Sequence, residues 1–367
     1  MIVPTAQVIT RDDALEALVE LEHLAGARVL LVSDAGLVAA GHVGRAEALL
    51  TAHAATVSRH LDVSANPSSD DVDACVSAAE GVDAIVALGG GSVMDVAKLA
   101  ALIVDTGDPL STHVGVHETA RRTTRLVLIP TTSGTGSEAQ AAAIVSDAQT
   151  HKKMACLAPG LSADVVLLDP TLTLSCPRIV TAASGLDVIA HAIEVAVTTR
   201  RTAKSDALAR GAFRRAQAAL PRVLEDPSDL GARGEMQRAA YDAGHAIAHS
   251  MLGAAHAAGN ALTARFGTPH GFAVGEMLPI VVAYNAQDSE VAERYASVAQ
   301  TAGLGRSVEA LLDRLEVLVA QALPSRTHLA ADDLMPLVTD AASQWTGTFN
   351  PRPMDEDGFK ALFEALS

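Results

Sequence analysis

Asp187 and His191 stand four residues apart in GLDVIAHAIE (185–194), a spacing that puts both side chains on one face of a helix. His256 and His270 follow in HAAGNALTARFGTPHG (256–271). One carboxylate with three imidazoles is a donor set suited to Fe(II) or Zn(II), with room left for a substrate oxygen. Each residue also has an ordinary reading. Asp187 follows Ser184 and Gly185 as a helix-start carboxylate would, His191 could be a hydrogen-bonded core histidine, and a chain with 13 histidines holds chance pairs.

A second chemistry is written in GGGSVMD (89–95). Glycines where a strand meets a helix let the backbone approach a ligand, and the exposed N–H groups of the helix start favour an anion such as a pyrophosphate. Ser92 is placed to cap that helix, with Asp95 three residues on completing a capping box. A tight strand-to-helix turn without a ligand is the alternative, and the segment lacks the GxGxxG spacing. Asp34, ending another apolar run, can accept hydrogen bonds from a ribose diol and would repel a 2′-phosphate, which points to NAD over NADP. TTSGTGS (131–137) offers Thr131, Thr132, Thr135 and Ser137 to line a cofactor, or is simply a hydroxyl-rich loop.

These groups need a scaffold, and the periodicity supplies one. Apolar runs at 28–34, 82–88, 125–129 and 164–168 end in turns, glycine or proline and alternate with helical patterns, the first of them around 43–59. Such runs predict a mostly parallel sheet buried on both faces. Beyond Pro177 the pattern changes to long Ala/Leu/Arg-rich stretches with apolar residues at i, i+3 and i+4, over 181–198, 203–220, 234–258, 290–302, 306–322 and 331–345. The expectation is an α/β domain over 1–178 and an all-α domain over 179–367.

Composition narrows the classes. The chain has 367 residues, 43 acidic against 27 basic, and a net charge of −16. No cluster of Lys and Arg suits a nucleic-acid backbone or an anionic membrane. No stretch approaches the roughly 20 uninterrupted apolar residues of a membrane helix. Arg11, Asp12 and Asp13 come too early for a signal peptide. Cys75, Cys156 and Cys176 are odd in number and widely spaced, which is no disulfide framework. A cytoplasmic protein without nucleic-acid or membrane partners is expected.

GGGSVMDVAK (89–98), IPTTSGTGSE (129–138), GLDVIAHAIE (185–194) and the HisX13HisGly element, in that order, resemble the iron-containing, group III alcohol dehydrogenases. Asn66-Pro67, Lys153 and Asn350-Pro351-Arg352 agree. The resemblance covers nearly the whole chain. It implies a dinucleotide-binding α/β domain and a helical domain, with the active site in the cleft between them, a dehydroquinate-synthase-like architecture. It implies metal-ligand roles for Asp187, His191, His256 and His270. It implies cofactor contacts at Asp34, Asn66, Gly90, Gly91, Ser92, Asp95, the Thr131–Thr135 loop, Ser137 and Lys153. The activity implied is hydride transfer between NAD(H) and a small aldehyde or alcohol, with NADP, Zn(II) in place of Fe(II), and an anionic substrate as variants. A maleylacetate-reductase-like enzyme, a dehydroquinate-synthase-like lyase and a non-catalytic NAD-binding protein are the rivals. A homodimer is the default assembly.

The chain departs from the family pattern at Asn260, where many members place a histidine four residues after the third ligand. An amide has no useful acid–base pKa, so a proton would come from solvent or a cofactor ribose hydroxyl. Arg265, five residues before His270, could meet an anionic substrate group or simply face solvent or another subunit. His249 could support the metal from behind or serve helix packing.

Overall fold

The computed structural model describes residues 6–150 and 152–366. It divides into two compact units, one running up to Thr132 and over Gly136–Cys176, the other comprising Ser133–Thr135 and the chain from Pro177 onward. The first unit carries β1 (Gln7–Thr10), β2 (Arg28–Val32), α1 (Ala35–Ala39), α2 (His42–Thr51), β3 (Thr56–His60), α3 (Ser69–Ala78) and β4 (Ala84–Gly89). After these come α4 (Gly91–Thr106), β5 (Gly115–Val116), β6 (Arg125–Pro130), β7 (Ala142–Ser146), β8 (Lys153–Leu157) and β9 (Val165–Leu168).

Six strands form one sheet in the order β1-β9-β6-β4-β2-β3, and every pairing in it is parallel. Strands β4 and β9 are buried along their whole length, and β2 and β6 at all but their first residue, which is why they read as unbroken apolar runs. The edge strand β3 has the mostly exposed sequence TVSRH, and the helical pattern expected around 43–59 stops at Thr51 to make way for it. A small second sheet pairs β8 with β5 in parallel and with β7 in antiparallel.

The chain leaves β2, adds β3 on one side, and returns to place β4 on the other. The strand order therefore reverses between β2 and β4, and ligands of open parallel sheets bind outside the strand ends at such a point. Asp34 follows β2 there, and Gly89 and Gly90 end β4.

The second unit is helical: α5 (Arg178–Val197), α6 (Ala203–Glu225), α7 (Leu230–Ala248), α8 (Ala254–Phe266), α9 (His270–Asn285), α10 (Ser289–Thr301), α11 (Val308–Ala322), α12 (Leu334–Ala342) and α13 (Glu356–Leu366). Among the described residues no strand follows β9. The single helix expected over 234–258 is two, interrupted between Ala248 and Ala254. Helix α9 was outside the expected set because it is buried on nearly every side and carries Pro279, so it shows no amphipathic stripe. Helix α5 is buried almost throughout its second half. By length and composition it could cross a membrane, but 72% of its apolar window is buried inside the structure. Alanines such as Ala190, Ala212 and Ala258 fill the core with phenylalanines at Phe213, Phe272 and Phe363.

Candidate metal centre and dinucleotide site

Asp187 and His191 sit on the buried face of α5, His256 lies in the first turn of α8, and His270 opens α9. The four side chains converge on one atom. Asp187 Oδ1 lies 3.4 Å from His191 Nε2, 3.5 Å from His256 Nε2 and 3.6 Å from His270 Nε2. Ligand atoms of Asp187, His256 and His270 all fall within 4.8 Å of one another. The His191 ring stacks on His256, with centroids 4.7 Å apart and planes inclined by 15°.

The donor chemistry fits a divalent ion. Asp187 Oδ1 and His256 Nε2 are buried and have no hydrogen-bond partner, a costly state for polar atoms unless something else satisfies them. Bonds of about 2.1 Å to a tetrahedral ion would separate neighbouring ligand atoms by about 3.4 Å, close to the observed spacings around Asp187. Burial works to raise the Asp187 carboxyl, but His191 and the other two imidazoles overturn it and hold the group well below the usual carboxylate range. Burial pushes His191 down to about 4. For His256 burial is opposed by the carboxylates of Glu194 and Asp187, which lift it to about 9.

Glu194 is the residue the sequence reading passed over. It lies two turns beyond Asp187 on α5, is 4% exposed, and places Oε2 2.5 Å from His256 Nδ1. A carboxylate can only accept, so Nδ1 bears a hydrogen, and Nε2, 3.5 Å from Asp187 Oδ1, is the nitrogen whose lone pair a metal ion would take on displacing its proton. The signal available in the sequence was only the i, i+7 spacing from Asp187, which an apolar helix does not distinguish from a chance buried acid.

Asn260 is one turn beyond His256 and donates to Gln344 Oε1 at 3.4 Å. Arg265 is held by Asp333, with N···O distances of 2.7 Å. The guanidinium therefore already has a carboxylate partner, and an anionic substrate would have to displace it. His249 ends α7 with Nε2 buried and its ring 5.1 Å from that of His245.

In the first unit α4 starts at Gly91, and Gly90 before it caps the helix without any side-chain hydrogen bond. That leaves the first amides of α4 for a ligand. Gly89 is required by the turn itself, since a Cβ there would stand 2.5 Å from Val93 Cβ. A Cβ on Gly90 would meet Thr132 Oγ1 at 3.4 Å, so the turn and the Thr131 loop face each other closely. The Thr131 amide bonds to the Gly89 carbonyl at 3.1 Å. Asp34 caps the five-residue α1 by accepting from Leu37 N at 3.1 Å. Asn66 and Thr135 are exposed in loops, and Lys153 is exposed at the start of β8.

Two expectations here are corrected. Ser92 does not cap α4; its hydroxyl donates to the Ala65 carbonyl at 2.6 Å, because the helix starts one residue before it. Asp95 forms no capping box. Its carboxylate instead accepts from Ser137 Oγ at 2.5 Å and Ile144 N at 2.9 Å. Asp95 and Ser137 are thus bonded to each other, with the Lys98 ammonium 3.6 Å from Asp95 Oδ1. The fully buried Lys98 donates to Ser137 O at 2.5 Å, Ser137 Oγ at 2.6 Å and Ala142 O at 2.8 Å. Beside it burial pushes the Glu138 carboxyl up to about 7. This network ties α4 to the segment that follows the Thr131 loop.

The comparisons with known proteins bear on both sites. The family described as iron-containing alcohol dehydrogenase matches residues 4–170, and its Fe-containing C-terminal counterpart matches 181–367. Alcohol dehydrogenase 4 of Schizosaccharomyces pombe is 29% identical over 99% of this chain and 88% of its own length. The 1-propanol dehydrogenase PduQ of Citrobacter freundii is 34% identical over 77% of this chain and 78% of its own. Sulfoacetaldehyde reductase from Bifidobacterium kashiwanohense, solved in complex with NAD+, superposes with a TM-score of 0.91 at 26% identity, covering 100% of this chain and 98% of that one.

Proposed function

The chain belongs to the iron-containing alcohol dehydrogenase family and is an oxidoreductase of that type, and we propose that it interconverts a small aldehyde and its alcohol with NAD(H) at a divalent metal held by Asp187, His191, His256 and His270. The observation that carries the reading is the buried, unpartnered Asp187 Oδ1 with three imidazole Nε2 atoms at 3.4–3.6 Å. When bound, the ion supplies Lewis acidity at the carbonyl oxygen and the nicotinamide supplies the hydride.

The residues have the following roles. Asp187 contributes the single negative charge of the donor set, so a divalent ion there keeps net positive charge to offset charge developing on the substrate oxygen. His256 offers a lone pair because Glu194 holds the proton on its other nitrogen. The uncapped start of α4 binds the pyrophosphate, and the glycines keep its approach clear. Asp34, at the reversal of strand order, accepts from the ribose hydroxyls and repels a 2′-phosphate, favouring NAD. Asn260 has no proton to give at neutral pH, so the proton that balances hydride addition comes from solvent or a ribose hydroxyl. Fe(II) is the metal the family points to, and the same donors accept Zn(II).

The test is metal analysis of the purified protein, then reconstitution with Fe(II) or Zn(II) and assay of NADH and NADPH oxidation with neutral and anionic aldehydes. The expected result is about one divalent ion per chain and turnover that prefers NADH. A protein that retains no metal and turns over no aldehyde would overturn the reading.

A further inference from the structure

We propose that Glu194 is a positioning residue of the metal centre, one carboxylate that sets both the tautomer of His256 and the seat of the helix on which His256 rides. The proposal rests on the reading of His256 as a metal ligand.

Helix α8 starts without a cap of its own: Gly253 precedes it and no side chain of the local sequence accepts from its first amides. The caps arrive from elsewhere in the chain. Glu194 Oε1 accepts from Ala255 N at 2.6 Å and lies 3.4 Å from His256 N. Asn350 Oδ1 lies 3.4 Å from Ala254 N. Asn350 is itself fixed by a reciprocal pair of amide bonds with Asn285 of α9, at 3.0 and 2.7 Å. The fit is close, since a Cβ on Gly253 would meet Glu194 Oε1 at 3.0 Å and Asn350 Oδ1 at 3.2 Å.

The other oxygen of Glu194 faces His256 Nδ1 at 2.5 Å. The two oxygens thus divide the work: Oε1 takes the positive end of α8, and Oε2 takes the imidazole N–H. Because Glu194 and Asp187 share the buried face of α5, a single helix carries both a ligand and the group that aims its neighbour. Asn350 caps α8 and pairs with Asn285 but makes no bond to the His256 ring among those the structure gives it, which makes it the natural control.

Glu194→Gln keeps an acceptor for the α8 amides but turns an N–H toward Nδ1, which moves the ring hydrogen onto Nε2. Zn(II) dissociation constants from chelator competition, with circular dichroism to verify folding, should show Glu194→Gln binding 10- to 100-fold more weakly. Asn350→Ala should lower the thermal midpoint and leave the constant within about threefold, as expected for loss of a cap and of the Asn285 pair with the Glu194–His256 contact intact. In the metal-free protein, at a pH above about 9 where the neutral ring is populated, 15N shifts of His256 should report Nδ1–H in the parent and Nε2–H in Glu194→Gln. Glu194→Asp, an acceptor one methylene shorter, should fall between parent and Gln, and provides the comparison if Gln does not fold.

Equal losses for Asn350→Ala and Glu194→Gln, or for Asp and Gln at position 194, would reduce Glu194 to a cap and overturn the proposal. So would parental Zn(II) affinity in Glu194→Gln. A parent protein that binds no Zn(II), indistinguishable from Asp187→Asn, would instead overturn the ligand reading and take the proposal with it.

Discussion

Gly271 lies so close to α5 that a methyl group on it would overlap the carbonyl of Ala183 and stand 3.2 Å from Asp187 Cβ. This contact lets α9 deliver His270 to the carboxylate on the neighbouring helix. Gly271→Ala should force the two helices apart, costing about 2–3 kcal/mol of stability and weakening metal binding at least tenfold. Thermal unfolding of the metal-free protein reads the first effect, and chelator competition the second. Unchanged values for both would show that the contact is slack.

Asn260 and His256 share a face of α8 but differ in what they can offer. His256→Ala removes a donor atom and should lower kcat/KM by at least about a thousandfold, the equivalent of several kcal/mol of transition-state stabilisation. Asn260→Ala removes an amide already engaged with Gln344 and should cost less than about tenfold. Steady-state kinetics of the two variants, each loaded with the same metal, makes the comparison. Similar losses in kcat would give Asn260 a chemical role that its amide does not explain.

The turn at the end of β4 admits no side chain at Gly89, where a Cβ would stand 2.5 Å from Val93. Gly89→Ala should displace the start of α4 and raise the dissociation constant for NADH by at least about tenfold, through loss of aligned amides at the pyrophosphate. Metal content should be unaffected, because every proposed metal ligand belongs to the other unit. Fluorescence titration with NADH and metal analysis on one sample separate the two effects.

Much of this was legible from the sequence, for a physical reason that also marks where legibility ends. Runs such as AIVALG and RLVLIP announce strands because both of their faces are buried. Thr56–His60 announces nothing, since an edge strand facing water needs no such run. Asp187 and His191 were readable as a pair because one helix sets their spacing. Glu194 was not, because its partner His256 is brought to it by tertiary packing, 62 residues along the chain. Ser92 misled because a residue suited to capping stands beside a glycine turn that starts the helix without it. The Asp95 capping box misled because Ser137 and Ile144, more than forty residues along the chain, claim that carboxylate.

Glu138 supplies a pH dependence. Its pKa rises from 4.5 to about 7 in the folded protein, so the folded state binds more protons than the unfolded one between those values. Its stabilising contribution is complete below about pH 4.5 and is lost as pH rises through about 7. Glu138→Gln should therefore flatten this part of the profile, and the stability difference between the variant and its parent should change by about 3 kcal/mol across the window. Urea unfolding at half-unit pH intervals checks it. Parallel profiles for the two proteins would mean that Lys98 keeps Glu138 ionised throughout.

The donors of the proposed centre sit on α5, α8 and α9; only residues 267–269 separate α8 from α9, but residues 198–253 intervene between α5 and that pair. An ion bound by all of them would work as a removable staple, holding together segments that the unfolded chain keeps far apart. In a core built largely from alanine, each residue buries little area, so such a staple matters more than it would among large aromatics. Metal starvation should then be felt as shortened protein lifetime as well as lost turnover: the helical unit, deprived of its tie, would open more often and be degraded sooner.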